Sequence, residues 1–295
     1  RSSGQLAYQA GDHEGAAELL AAALAIHRRE TESSFVDVSG LANDLAACLR
    51  LLGRNEEARR LHEEALALRR AEGESTLPVA ESLNNLGGLV GGPHGRGDLP
   101  GGIALFREAL AMSRRLYPGD HPRVAGGLNN LSVLLKNSGD LAAAEPLARE
   151  TLEMRRRLFP GDHPYVATGL NNLALVLQKR GDLVAPEALF RESLAMRRRL
   201  YPEGHASIAT DLFNLARLMF ARGDLTQAEP LYAQAAELYE RTQGKDYWPT
   251  GDARMGLGRT LTGLQRFAAA ELELVAAQGM LGSAQGVPAA RREEC

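Results

Sequence analysis

Between Pro122 and Ser138 the apolar residues Val124, Leu128, Leu131, Leu134 and Leu135 recur at three- and four-residue spacings. That spacing predicts a helix with one buried face. Pro122 suits the first turn, where its missing N–H does no harm. Gly139 supplies the left-handed stop that a helix C-terminus favours, and Asp140 can cap the helix that follows. Leu141, Ala144, Leu147, Thr151, Leu152 and Leu158 carry the same period through a second helix. Arg155, Arg156 and Arg157 fall in its last turns, where positive charge suits the dipole. Phe159-Pro160-Gly161-Asp162-His163-Pro164 then breaks the chain. Residues 122–163 therefore predict one helix-turn-helix hairpin.

The hairpin recurs. Leu83-Asn84-Asn85-Leu86, Leu128-Asn129-Asn130-Leu131, Leu170-Asn171-Asn172-Leu173 and Leu212-Phe213-Asn214-Leu215 are copies of one block, the last three 42 residues apart. Gly-Asp keeps step at 97–98, 139–140, 181–182 and 223–224. Small residues recur where two helices must approach: Gly87, Ser132, Ala174, Ala216 and Gly258 after the block, and Ala16, Ala58, Gly102, Ala144, Ala228 and Ala270 in the second helix. A large side chain there would cost roughly 1–3 kcal/mol by overpacking. A period of this length predicts stacked repeats, a class that presents long binding surfaces. Seven units are expected, at about 1–34, 35–76, 77–121, 122–163, 164–205, 206–249 and 250–282, the last with Gln265-Arg266 in place of Gly-Asp. Residues 283–295 read as the start of a further helix, and both ends fall mid-repeat, so a fragment of a longer protein is expected.

The order Leu-Asn-Leu-small, Gly-Asp, small, small, Pro resembles the tetratricopeptide repeat, in the 42-residue form with a Pro-Gly-Asp-His-Pro connector that is similar to kinesin light chains and their bacterial relatives. The resemblance implies an all-α, right-handed superhelical solenoid. It also implies that the first Asn of each block (Asn43, Asn84, Asn129, Asn171) faces a concave groove, where its amide could grip an extended peptide backbone. A solvated or inter-helix polar ladder is the alternative. The second Asn (Asn85, Asn130, Asn172, Asn214) is expected to hold local structure. Phe213 takes the groove position in the sixth unit, and Lys136, Arg217 and Arg259 follow on the same face, with Arg50 in the second unit. Arginine suits carboxylates through its planar fork, so a protein or acidic extended peptide is the expected partner. Related arrays often follow a kinase or nucleotide-switch domain, so a regulatory segment acting on its own full-length chain is the alternative function.

Composition narrows the field. The chain has 295 residues, 34 Lys and Arg against 37 Asp and Glu, and 5% aromatics. That balance excludes a basic, base-stacking nucleic-acid surface. No apolar run reaches the roughly 18 residues of a membrane span. Two cysteines, Cys48 and Cys295, form neither a disulfide framework nor a metal set, and a cytoplasmic location is expected. His121, His163 and His205 also recur every 42 residues. Stacked repeats space them in a row, so capping is expected and no metal or cofactor. Gly91-Gly92-Pro93-His94-Gly95-Arg96-Gly97 lacks the Lys-Ser/Thr ending of a phosphate loop. It reads as a surface insertion that, with Gly87 and Gly88, weakens the helix before it. The runs Arg114-Arg115, Arg155-Arg156-Arg157 and Arg197-Arg198-Arg199 read as a solvated face. No nucleophile elbow or zinc-protease motif occurs, and a non-enzymatic scaffold is expected.

Overall fold

The structure, a computed structural model, describes residues 12–29, 35–73, 76–92, 97–244 and 247–283. Gly11, the inserted residues 93–96 and the expected helix start at 284–295 lie outside the described residues. Among the described residues there are thirteen helices and no strand. They are α1 His13–His27, α2 Phe35–Leu51, α3 Asn55–Glu72, α4 Leu77–Gly91, α5 Leu99–Leu116, α6 Pro122–Ser138, α7 Leu141–Leu158, α8 Pro164–Lys179, α9 Ala185–Leu200, α10 Ala206–Arg222, α11 Leu225–Gln243, α12 Trp248–Gly263 and α13 Phe267–Ser283.

The chain forms two compact units, residues 1–147 and 148–295. In the first, each helix from α1 to α6 packs on the next, and α4 also touches α6. In the second, the same order holds from α8 to α13, with α8 touching α10 and α10 touching α12. Within each unit, the first helices of successive hairpins therefore lie side by side.

Local chemistry sets the helix ends. His121, His163 and His205 each accept a hydrogen bond through Nδ1 from the backbone N–H two residues on, at 3.1–3.2 Å. Each imidazole stacks on the aromatic residue that opens the connector, Tyr117, Phe159 or Tyr201, with ring centroids 3.7–4.4 Å apart. The expected capping role is what the structure shows. Asp98 and Asp140 cap the second helices of their hairpins through Gly101 and Ala143 N–H groups. Gly139 and Gly223 end α6 and α10 in the left-handed conformation. In the seventh hairpin that place falls to Gln265, at φ 60°, where a side chain costs roughly 1–2 kcal/mol.

The arginine runs are only partly a solvated face. The first members of the two three-arginine runs, Arg155 and Arg197, turn inward. Arg69, Arg155 and Arg197 occupy equivalent places and donate to the backbone carbonyls of Pro78, Tyr165 and Ser207, the second residues of the following helices, at 2.7–3.0 Å. Burial pushes the Arg155 guanidinium down to about 10. At the same place in α11, Tyr239 bonds Thr210 Oγ1 instead, at 2.9 Å. The second members face outward and reach the next hairpin: Arg70 pairs with Glu108 and Arg156 with Glu192, both at 2.6 Å. Arg28 and Glu64 form the same pair earlier. Exposed pairs of this kind contribute about 0–1 kcal/mol each. Of the third members, Arg199 forks onto both carboxylate oxygens of Asp162, and this holds the Asp162 carboxyl below the usual range.

The glycines of α4 are packing residues as well as weak helix formers. A Cβ on Gly102 of α5 would stand 2.7 Å from the Gly91 Cα, and one on Gly87 would stand 3.0 Å from the Phe106 ring. Gly91, expected in a surface insertion, is instead the buried last residue of α4. Gly88 is different, since its Cβ would meet only Phe106 Cζ at 3.9 Å. Gly102→Ala should therefore lower the unfolding free energy by roughly 1–3 kcal/mol. Gly88→Ala should raise it by about 1 kcal/mol. Urea unfolding of the two variants beside the wild type checks both signs.

Candidate functional site

The paired asparagines form struts between hairpins. In the first unit Asn85 Nδ2 donates to Asn43 Oδ1, and Asn130 Nδ2 to Asn84 Oδ1, both at 3.0 Å. In the second, Asn214 Nδ2 donates to Asn171 Oδ1 at 3.2 Å. The second Asn of one hairpin thus binds the first Asn of the hairpin before it. Of the two alternatives, the inter-helix ladder describes the carbonyl ends. Asn171 is buried, and its amide donates to Asp211 Oδ1, which places it in the core and away from a groove. Asn43, Asn84 and Asn129 are half-buried. His62 Nδ1 lies 3.1 Å from Asn43 Oδ1. Burial first, then Arg50 and Arg69, pushes the imidazole down to about 4. His62 is therefore neutral at neutral pH.

Asp211, on α10, is fully buried and was not singled out by the sequence pattern. It takes hydrogen bonds from Asn171 and Ser193 and lies 3.2 Å from Arg197 Nη1. Burial nevertheless dominates and pushes its carboxyl up to about 6, against the opposing pull of Arg197, Ser193 and Asn171.

Clefts open along the block face in each unit. In the first unit, a cleft of about 540 Å³ is lined by Arg50, Asn84, Asn129, Val133 and Asn137. Lys136 does not line it and lies half-buried in the last turn of α6. In the second unit, a cleft of about 260 Å³ brings together Phe213, Arg217, Phe220, Tyr232, Met255 and Arg259. The Arg217 guanidinium lies 5.8 Å from the Phe213 ring centroid, and that of Arg259 lies 5.7 Å from Phe220. Phe213 meets Tyr232 edge-on at 5.8 Å. Gly256 stands where other blocks carry the second Asn, and a Cβ there would clash with the Tyr232 ring at 2.4 Å. Phe213, Arg217 and Arg259 thus line one cleft. Tyr232, Met255 and Gly256 were missed. The signal for Tyr232 lay in its register: it stands four residues after a small residue, as Phe106 does.

Among the described residues no cluster of His, Cys, Asp and Glu could hold a metal ion. No described helix is long and apolar enough to cross a membrane.

The family model described as "Tetratricopeptide repeat" matches residues 37–91, 94–157, 124–199, 165–241 and 206–274. None of the curated proteins matches the chain. Among solved structures, the chain is similar to the TPR-like repeats of a Podosopora anserina protein described as a kinesin light chain, at TM-score 0.58 and 18% identity, covering 67% of this chain and 92% of that one. It is similar to the apo form of RapI at TM-score 0.71 and 11% identity, covering 94% of each chain. It is also similar to a Rap protein complexed with competence and sporulation factor, at TM-score 0.55 and 12% identity, covering 83% of this chain and 78% of that one. At these identities the likeness is one of fold.

The raised carboxyl of Asp211 fixes a pH dependence. Its folded value lies above its ordinary one, so its favourable contribution is complete below about pH 4 and is lost as pH rises through about 6. Relative to Asp211→Asn, the wild type should lose up to roughly 3 kcal/mol of stability across that window. Chemical denaturation at pH 4 and pH 7 reads the difference. Asn171→Ala, which leaves Asp211 and Asn214 short of a partner, should destabilise the fold at both pH values by roughly 1–3 kcal/mol.

Proposed function

We propose a function on the premise that the chain belongs to the tetratricopeptide repeat family. The protein is a non-enzymatic scaffold that holds an extended protein segment along the block face, and the second unit's cleft is where side-chain selection occurs. The observation that carries this reading is the placement of Arg217 and Arg259. Both are exposed, both lie over aromatic rings, and neither is among the described ion pairs. A guanidinium stacked on a ring keeps its planar fork turned to a ligand carboxylate. Phe220 and Met255 beside them offer apolar, adaptable contact. The ligand is therefore a segment carrying Asp or Glu next to an apolar residue. In the first unit, Asn84, Asn129 and Arg50 offer polar contacts suited to a peptide backbone. The complex of a Rap protein with competence and sporulation factor supports ligand capture by a similar fold.

A peptide array with acidic, basic and uncharged members tests the reading. Acidic-apolar peptides should be retained, with affinity falling as salt rises. Arg217→Ala combined with Arg259→Ala should weaken their binding by about 2–4 kcal/mol, as loss of two charge-assisted contacts requires. Circular dichroism should be unchanged, because both side chains are exposed. Equal retention of basic peptides, or full affinity in the double variant, would reject the assignment.

A further inference from the structure

We propose that His62 makes the first unit's cleft a receptor for a neutral side-chain amide, the Gln or Asn of an extended segment. The inference rests on the reading that the block face holds such a segment, and it names what the first unit selects. At the place of His62 other second helices carry the buried apolar residues Leu20, Phe106 and Phe190. His62 is likewise buried, at 2% exposure, yet its ring lines the cleft of about 540 Å³. The amide beside it fixes which ring nitrogen carries the proton. Asn43 Oδ1 accepts from Asn85 Nδ2 at 3.0 Å, so the atom facing His62 is an oxygen. His62 Nδ1, 3.1 Å from that oxygen, is then the N–H that donates to it. Burial, with Arg50 and Arg69, keeps the ring neutral at neutral pH, and a neutral imidazole leaves its other nitrogen bare. Among the described residues Nε2 has no hydrogen-bond partner. A ligand that seals the cleft must therefore bring a donor to it.

Around this acceptor the cleft presents donors. Asn84 Oδ1 takes the hydrogen bond of Asn130 Nδ2, which leaves the Asn84 Nδ2 group to donate. Arg50, exposed, lines the same cleft. The site therefore suits a group with a donor and an acceptor on neighbouring atoms. A primary amide has both in one plane. An ionised carboxylate has only lone pairs, and one of its oxygens would meet the Nε2 lone pair head-on. An ammonium offers nothing to Asn84 and is opposed by the charges of Arg50 and Arg69. A hydroxyl must serve both sides from one atom. Leu89, Val133 and Leu134 line the cleft beside these groups and suit the apolar stem of the amide side chain. Arg50 therefore does not make the first unit select acids; the bare imidazole nitrogen beside it turns them away.

NMR of the full chain tests this. Long-range proton–nitrogen correlation spectra should show His62 with a protonated Nδ1 and a bare Nε2. Blocked tripeptides Leu-Gln-Leu, Leu-Glu-Leu, Leu-Lys-Leu and Leu-Ser-Leu are then titrated, with affinity read at the Asn84 side-chain amide. The glutamine peptide should shift the Nε2 resonance and bind about tenfold more tightly than the glutamate peptide. His62→Phe, which installs the residue found at this place in α5 and α9, should keep the thermal melt and lose the preference. A proton on Nε2, no binding of the glutamine peptide, equal or tighter binding of any other peptide at Asn84, or a preference that survives His62→Phe would overturn the proposal. Arg217→Ala with Arg259→Ala should leave these titrations unchanged, so a failure of acid selection in the second unit is read separately from a failure here.

Discussion

A buried amide must keep its hydrogen bonds, and in this protein the next hairpin supplies the partner. Asn85 reaches Asn43, Asn130 reaches Asn84, and Asn214 reaches Asn171. A slip of one residue along either helix would turn the amide by about 100° and strand it. Register is therefore enforced by polar contacts as well as by the leucines around them. The partners lie 42, 46 and 43 residues apart in sequence, yet the contact is the same. Extra residues are tolerated where they fall between the helices, because the ladder reads helix faces and not chain length.

The second unit's cleft begins where this ladder stops. Phe213 takes the first Asn's place and Gly256 the second's. Neither can form a strut. The Tyr232 ring fills the gap, so close to Gly256 that any side chain there would be expelled. A stretch that elsewhere joins two hairpins by amides is here an aromatic wall capped by two arginines. Loss of the structural hydrogen bond and the opening of this aromatic cleft are the same set of substitutions.

The hairpins, their caps and their small-residue contacts were legible because each copy repeats its own local signal. Much of the site was not, for a geometric reason. Arg155, Arg156 and Arg157 are adjacent letters, but each step turns about 100° around the helix. One points into the stack, the next to a neighbouring hairpin. A run read as a block hides that division. Asp211 was illegible for another reason. Its place is held elsewhere by Leu41, Ser82, Gly127, Gly169 and Ala253, so nothing in the pattern marks one carboxylate as buried. Its meaning depends on Asn171, Ser193 and Arg197 arriving together from two other helices.

The charge distribution follows from the same stacking. With 34 cations against 37 anions, the chain has no large field with which to attract a distant partner. Many of its arginines are committed: Arg69, Arg155 and Arg197 to carbonyls at the start of the next hairpin, and Arg28, Arg70 and Arg156 to glutamates one hairpin on. Arg217 and Arg259 lie over rings, where no carboxylate of the described chain pairs with them. An aromatic face holds a guanidinium without neutralising it. On the function proposed here, recognition in this cleft is a contact effect, decided within a few ångströms, and selectivity depends on where a ligand's carboxylate falls relative to its apolar neighbour.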